Sequence, residues 1–337
     1  MLIGPFDLSN RAMLIAEIGN NHEGDPALAA ELADAAIESG ADAIKFQILD
    51  PVRLVNRSET ARIEQLTRYR LAPDVLDRIA EKVRSQGRLF MASVFDCATL
   101  SAVGGGLDAI KIASGDLDFD PLLEVAAGTG KPIILSTGMA TEVEIQRSVG
   151  VIALALPAGI TLADQLAVLH CVSLYPTPPE RANLAAISRL KAILPLTIGY
   201  SDHTLGLDAA MAAVALGARI VEKHFTLDKT RASFRDHALS AEPAEFAQLA
   251  RFMHSFDAMM GDGRRDAVVW DAATRAVARR SAVAARDLAA GVELVAGDLD
   301  YVRPAGGTSP ADARNLIGRT LKSAVTAHQR LTSEDVV

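Results

Sequence analysis

The chain has 337 residues, half of them hydrophobic and 23% charged, with 34 Lys and Arg against 42 Asp and Glu for a net charge of −8. This is an ordinary globular composition, and the length exceeds one (β/α)₈ barrel of roughly 250 residues, so a barrel plus a small appendage fits. The acidic balance disfavours nucleic acid as a partner, because bulk binding needs a basic footprint.

The N-terminal MLIGPFDLSNRAM carries Asp7 and lacks the apolar core of a signal peptide. Strand-like runs then follow in order: MLIAEIG (13–19), DAIKFQ (42–47), RLFMASV (88–94), AIKIAS (109–114), PIILSTG (132–138), LAVLHCV (166–172), TIGYSD (197–202) and IVEKHFT (220–226). Helical patterns such as PALAAELADAAIESG separate them, with apolar residues three and four apart. Gly40, Gly87 and Gly217 stand where helix C-caps are expected. Eight βα units predict an α/β fold, a TIM barrel, with an open doubly wound sheet as the alternative. Cys97 and Cys171 are too few for a disulfide framework or a thiolate zinc site, and read as small buried hydrophobes. No run reaches the ~18 apolar residues of a membrane helix, so the expectation is a cytoplasmic protein without a membrane partner.

Two stretches break the pattern. Residues 48–72 are too long for a simple βα loop and are expected to cover the barrel mouth. After Ala244 the last helical pattern fades near 261–265, and the texture turns to short strands, Gly-marked turns and one basic-proline loop. This gives a barrel over 1–265, a linker over 266–280 and a small β-rich domain over 281–337.

Residues two apart on a strand share a face. Glu17, Lys45, Gln47, Lys111, Ser136, Ser201, Glu222 and His224 alternate with apolar neighbours, and His203 follows directly. With the apolar partners turned to the helices, these polar groups point inward, near the strand ends where barrels place active sites. An interior ammonium needs an anion. Glu17 or Glu222 would neutralise one lysine, whereas a bound phosphate and carboxylate would employ both, and spacing leaves the choice open. His203 and His224, on adjacent strands, are placed to share a divalent ion with open positions. A hydrogen-bonded core histidine is the other reading of each.

Seven motifs stand in the order and spacing of the sialic acid synthase family: IAEIGNNHEG (15–24), KFQ (45–47), KIASGD (111–116), PIILSTGM (132–139), LHCVSLYPTP (169–178), IGYSDHT (198–204) and EKHFTLD (222–228). The C-terminal segment, with YVRPAGG (301–307), resembles the antifreeze-like (SAF, β-clip) domain of those enzymes. The resemblance covers nearly the whole chain. It implies condensation of phosphoenolpyruvate with an amino-sugar aldehyde such as N-acetylmannosamine or a diacetamido trideoxy hexose. Lys45, Lys111, Ser114, Ser136, Ser173 and Ser201 would hold phosphoenolpyruvate, and His203 and His224 would hold Mn²⁺ or Mg²⁺. Glu17 and Asp236 would manage protons, and Gln47, Tyr175 and Asp236 would contact the sugar. Arg303 would reach the N-acyl group from a partner subunit in a domain-swapped homodimer. Many bacterial members have Asn where this chain has Ser173, and residues 48–72 match no motif of the family. A Schiff-base pyruvate aldolase and a non-catalytic sugar-binding protein are the competing functions.

Overall fold

The computed structural model describes residues 1–231, 235–261, 263 and 272–337. They form two compact units, Met1–Gly261 and Asp262–Val337. The first is a closed barrel of eight parallel strands: β1 (Met13–Gly19), β2 (Ala43–Ile48), β3 (Leu89–Val94), β4 (Ala109–Ile112), β5 (Ile133–Ser136), β6 (Leu166–Cys171), β7 (Thr197–Asp202) and β8 (Ile220–His224). Closure of β8 on β1, with His224 in register with Glu17, rules out the open sheet.

Strand alternation sorts the core into two clusters. Leu14, Ala16, Ile44, Phe46, Ile110 and Val168 face outward against the helices. Met13, Ile15, Ala43, Met91, Ala109, Ile134 and Leu169 face inward. On β1 to β6 the inward position two residues further on is polar: Glu17, Lys45, Ser93, Lys111, Ser136 and Cys171. On β8 the same step from Ile220 gives Glu222 and then His224. The barrel interior is thus a greasy floor with a polar layer directly above it, as expected of stacked inward layers.

The floor is sealed from below by a feature the sequence reading missed. A two-stranded hairpin, Leu2–Ile3 and Phe6–Asp7, inserts Ile3 and Phe6, followed by Leu8, into the inward cluster. Strands of two residues carry no periodicity to read. The helices follow the local signals. The helix Pro26–Glu38 starts at Asp25, whose carboxylate accepts from the amides of Ala27 and Leu28, with proline at the first position. Thr141 and Glu144 make a reciprocal capping box ahead of Glu142–Leu154. Gly40, Gly87 and Gly217 all have positive φ just past helix ends.

Three strands stop two residues sooner than the sequence suggests. β4 gives way to a 3₁₀ turn, Ser114–Asp116, β5 ends at Ser136, and β8 ends at His224. The 48–72 insertion folds into two short helices, Pro51–Leu54 and Thr60–Arg68. Among the described residues no helix is long and apolar enough to cross a membrane.

The second unit has its own core, built from Ala282, Leu288, Leu294, Leu316, Leu321 and Leu331. Its strands β9 (Ser281–Ala284) and β10 (Leu299–Val302) pair antiparallel. Elsewhere its backbone pairs through single bridges such as Leu288↔Val325 and Leu321↔Val336. The expected linker over 266–280 lies outside the described residues as far as 271, and its remainder carries the helix Ala272–Ala278.

Ile3 is fully buried in the floor. Replacing it by alanine should cost about 2–5 kcal/mol in denaturant unfolding, the usual range for Ile→Ala in a packed core. A loss under ~0.5 kcal/mol would show that the hairpin does not seal the barrel.

Candidate active site

Above the floor lies a cavity of about 450 Å³. Its wall includes Glu17, Lys45, Gln47, Lys111, Ser114, Ser136, Ser173, Tyr175, Ser201, His203, His224 and Asp236. Every residue singled out in the sequence for the barrel site is therefore gathered around one space. Arg303 is the exception: it is an exposed residue just after β10, in the second unit.

The two lysines differ. Lys45 Nζ sits 2.6 Å from Glu17 Oε2 and 3.6 Å from Glu222 Oε2, and donates to Ser93 Oγ at 3.0 Å. Burial works against its charge, but the two carboxylates outweigh it and its pKa rises. The intramolecular neutralisation left open by the sequence thus holds for Lys45. Lys111 Nζ instead donates to Ser136 Oγ (2.7 Å) and to the Ile112 carbonyl (3.2 Å). No carboxylate of the described residues lies within 4.0 Å of it. Burial dominates and lowers its pKa. An ammonium so placed is stabilised by any small anion that enters.

The two carboxylates are also pushed apart. Burial raises the Glu17 pKa even beside Lys45. Burial would raise Glu222 too, but Lys111 and Lys45 hold it down at about 2. One carboxyl is thereby prepared to exchange a proton and the other to stay ionised, the division that marks acid–base sites. Gln47 Nε2 donates to Glu17 Oε1 (2.9 Å) and its carbonyl accepts from Asn20 Nδ2 (3.0 Å), which fixes the orientation of Glu17.

Beside Lys111 the chain forms a hydroxyl cradle. The Gly138 amide donates to Ser114 Oγ at 2.9 Å. A Cβ on Gly138 would stand 2.3 Å from Ser173 Oγ and 2.9 Å from Ser114 Oγ, so only glycine allows the two hydroxyls to converge there.

The histidines fit a metal ion. His203 Nδ1 lies 2.8 Å from the Val172 carbonyl, an acceptor only, so this nitrogen is the donor, and in the neutral ring the lone pair lies on Nε2. His224 is buried, its Nδ1 has no hydrogen-bond partner, and burial holds its pKa down at about 4, so the imidazole is neutral. The ring centroids are 5.4 Å apart, within reach of an ion bound about 2.1 Å from one nitrogen of each. Among the described residues no group of three or more His, Cys, Asp or Glu converges. An ion here would complete its shell with substrate and water, as an open site does. Tyr175 packs on His203 at 4.1 Å between centroids; the Arg235 guanidinium lies 4.6 Å from the centre of the Tyr175 ring and is bound to Asp236 at 3.0 Å.

The NeuB family profile matches residues 32–265, and the SAF domain profile matches residues 279–337. The chain belongs to the NeuB family. It is 34% identical to N,N'-diacetyllegionaminic acid synthase of Legionella pneumophila, over 99% of this chain and 97% of that one. An uncharacterized protein of Methanocaldococcus jannaschii is 38% identical, over 92% and 90%. Among solved structures, the N-acetylneuraminic acid (sialic acid) synthetase of Leptospira borgpetersenii, crystallised with citrate, superposes with a TM-score of 0.75 at 32% identity. That match covers 81% of this chain and 94% of the other. The family and the two-part fold expected from the motifs are both confirmed.

Other residues of this NeuB cavity escaped the sequence reading. Ser93 obeys the same parity rule as Lys45 and was legible on β3. Asn20 sits in the NNHEG motif without having drawn a role, and Arg62 comes from the 48–72 insertion, which does reach the cavity. Cys171 corrects an expectation: it is buried but lines the cavity, with Sγ 3.8 Å from His203 Nδ1. Burial alone would raise its pKa, yet His203, Ser114 and Lys111 lower it. Cys97 is only half-buried, at the start of a short helix.

Gly138→Ala displaces the Ser114 and Ser173 hydroxyls without straining the backbone. Calorimetric affinity for phosphoenolpyruvate should fall roughly 10–100-fold, the worth of one or two hydrogen bonds to a charged ligand. Unchanged affinity would remove the cradle from the anion site.

Proposed function

We propose that this protein condenses phosphoenolpyruvate with the open-chain aldehyde of an N-acyl amino sugar and water, yielding a nonulosonic acid and inorganic phosphate. The observation that carries the reading is Lys111: a buried lysine bonded to the Ser136 hydroxyl, in a cavity whose wall also carries Ser114, Ser173 and Ser201, without a carboxylate at ion-pair distance. Family membership and the names of the relatives support the same chemistry.

Lys111 with Ser114, Ser136, Ser173 and Ser201 binds the anionic groups of phosphoenolpyruvate and orients them before reaction. A dianion at that point keeps Lys111 protonated. Carbon 3 attacks the aldehyde carbon, whose oxygen takes a proton from Glu17 and becomes the new hydroxyl, and positive charge develops at carbon 2. Glu222, held ionised by the lysines, is the carboxylate available to face that charge. Water adds at carbon 2 and one of its protons returns to Glu17; the carbon–oxygen bond to phosphate then breaks as the carbon-2 hydroxyl becomes the ketone and its proton leaves with the phosphate. General acid–base assistance of this kind contributes about 10²–10⁴-fold. His203 and His224 would hold Mn²⁺ or Mg²⁺, which when bound supplies Lewis-acid polarisation of the aldehyde oxygen.

Gln47, Tyr175 and Asp236 contact the sugar at the mouth, beside Arg62. We take the diacetamido trideoxy hexose of the legionaminic route as the first acceptor to try, ahead of N-acetylmannosamine, a choice supported by the likeness to N,N'-diacetyllegionaminic acid synthase of Legionella pneumophila. The rim carries exposed apolar residues on three successive loops: Met139 (76% exposed), Leu174 (41%) and Leu205 (63%). Such a rim supports a cap supplied by a second copy, whose Arg303 meets the N-acyl group.

Phosphate release is the readout. It should require both substrates, stop on chelation and resume with Mn²⁺, and fall roughly 10²–10³-fold in Lys111→Met, the scale for a lost charge-stabilising group. Mixing inactive Lys111→Met with inactive Arg303→Ala chains should restore activity if the sites are shared between copies. Borohydride trapping of pyruvate on Lys111 would replace this reading with Schiff-base aldol chemistry, which the lowered pKa of Lys111 would suit. Sugar binding that survives Lys111→Met, with no aldehyde turned over by the parent chain, would leave a binding protein.

A further inference from the structure

The outward faces of the barrel strands are mostly Ile, Leu, Val, Phe and Ala, packed on the helices. At the tops of β7 and β8 a charged pair takes their place. Asp202 and Lys223 are in register across the two strands, and their side chains are 0% and 1% exposed. Lys223 Nζ donates to Asp202 Oδ2 (2.9 Å) and to the Thr204 carbonyl (2.5 Å). Asp202 Oδ1 accepts from both the amide and the hydroxyl of Thr204, each at 2.8 Å. Lys223 therefore grips the chain on both sides of His203, through the side chain before it and the backbone after it.

The next residue after Lys223 is His224. Its carbonyl accepts from the Ala241 amide at 2.7 Å, and the carbonyl of His203 accepts from the Thr177 amide at 2.8 Å. One buried ion pair thus ties together the two strand ends that carry the imidazoles, from the side of the sheet opposite the cavity. A buried pair is weak evidence for stability, since apolar residues of similar size usually serve as well or better. What apolar residues would not supply is the link between residues 202, 204 and 223.

We propose that Asp202 and Lys223 are positioning residues, which set the spacing of His203 and His224 so that both imidazoles reach one divalent ion. The proposal rests on the reading that these histidines hold such an ion. The ion pair carries no net charge, and removing both members leaves the net charge of the region as it was.

The test is an electron paramagnetic resonance titration of the full chain with Mn²⁺, comparing the parent with the double variant Asp202→Asn/Lys223→Met. The double variant should melt near the parent and bind phosphoenolpyruvate alone with the parent's affinity, yet bind Mn²⁺ roughly 10–100-fold more weakly, the usual cost of losing support behind metal ligands. Equal Mn²⁺ affinity in the folded double variant overturns the positioning role while leaving the ion site standing. A parent chain that binds no Mn²⁺ overturns the ion site, and the positioning role with it. Should the double variant fail to fold, Thr204→Val carries the test: it removes one hydroxyl bond to Asp202 and no charge. Several-fold weaker Mn²⁺ binding supports the proposal, and unchanged binding overturns it.

Discussion

A lysine ammonium at the centre of a closed sheet has lost its water and must find negative charge close by, or give up its proton. The interior of this barrel holds two such lysines and two glutamates. Simple counting would pair them off and leave nothing for a ligand. The geometry divides them unequally. Lys45 lies against Glu17 with Glu222 behind it, while Lys111 is turned toward hydroxyls. The asymmetry leaves one cation short of a counter-charge and one carboxyl, Glu17, with a raised pKa. An anion-binding centre and a proton carrier arise from the same imbalance.

The rest of the barrel serves that layer. The apolar floor below it, closed by the N-terminal hairpin, keeps water from reaching the lysines from underneath. The loops above it supply the hydroxyl cradle at Gly138 and the aromatic wall formed by Tyr175 against His203. On the far side of the sheet, Asp202 and Lys223 hold the strand ends that carry the histidines.

Much of this was legible in the sequence, and for a physical reason: a strand alternates its faces. The period of two placed Glu17, Lys45, Lys111, Ser136, Glu222 and His224 on one side before any fold was known, and ordered motifs named the family. The same rule would have found Ser93 had it been applied to every strand. It also puts Asp202 and Lys223 on the outer face, where no role was sought for them. Other features carry no period. The hairpin at Leu2–Ile3 and Phe6–Asp7 is too short to show one. The reach of Arg62 depends on how the insertion folds back. Above all, alternation fixes which side a lysine points to and says nothing about which glutamate it meets; that depends on cross-strand register and rotamer.

The central claim is that Lys111 is the cation reserved for the substrate. A crystal structure of the chain with phosphoenolpyruvate tests it most directly. A phosphate or carboxylate oxygen of the ligand should lie within about 2.7–3.2 Å of Lys111 Nζ, with Lys45 still on Glu17. Phosphoenolpyruvate bound elsewhere, with Lys111 swung onto Glu222, would contradict the account.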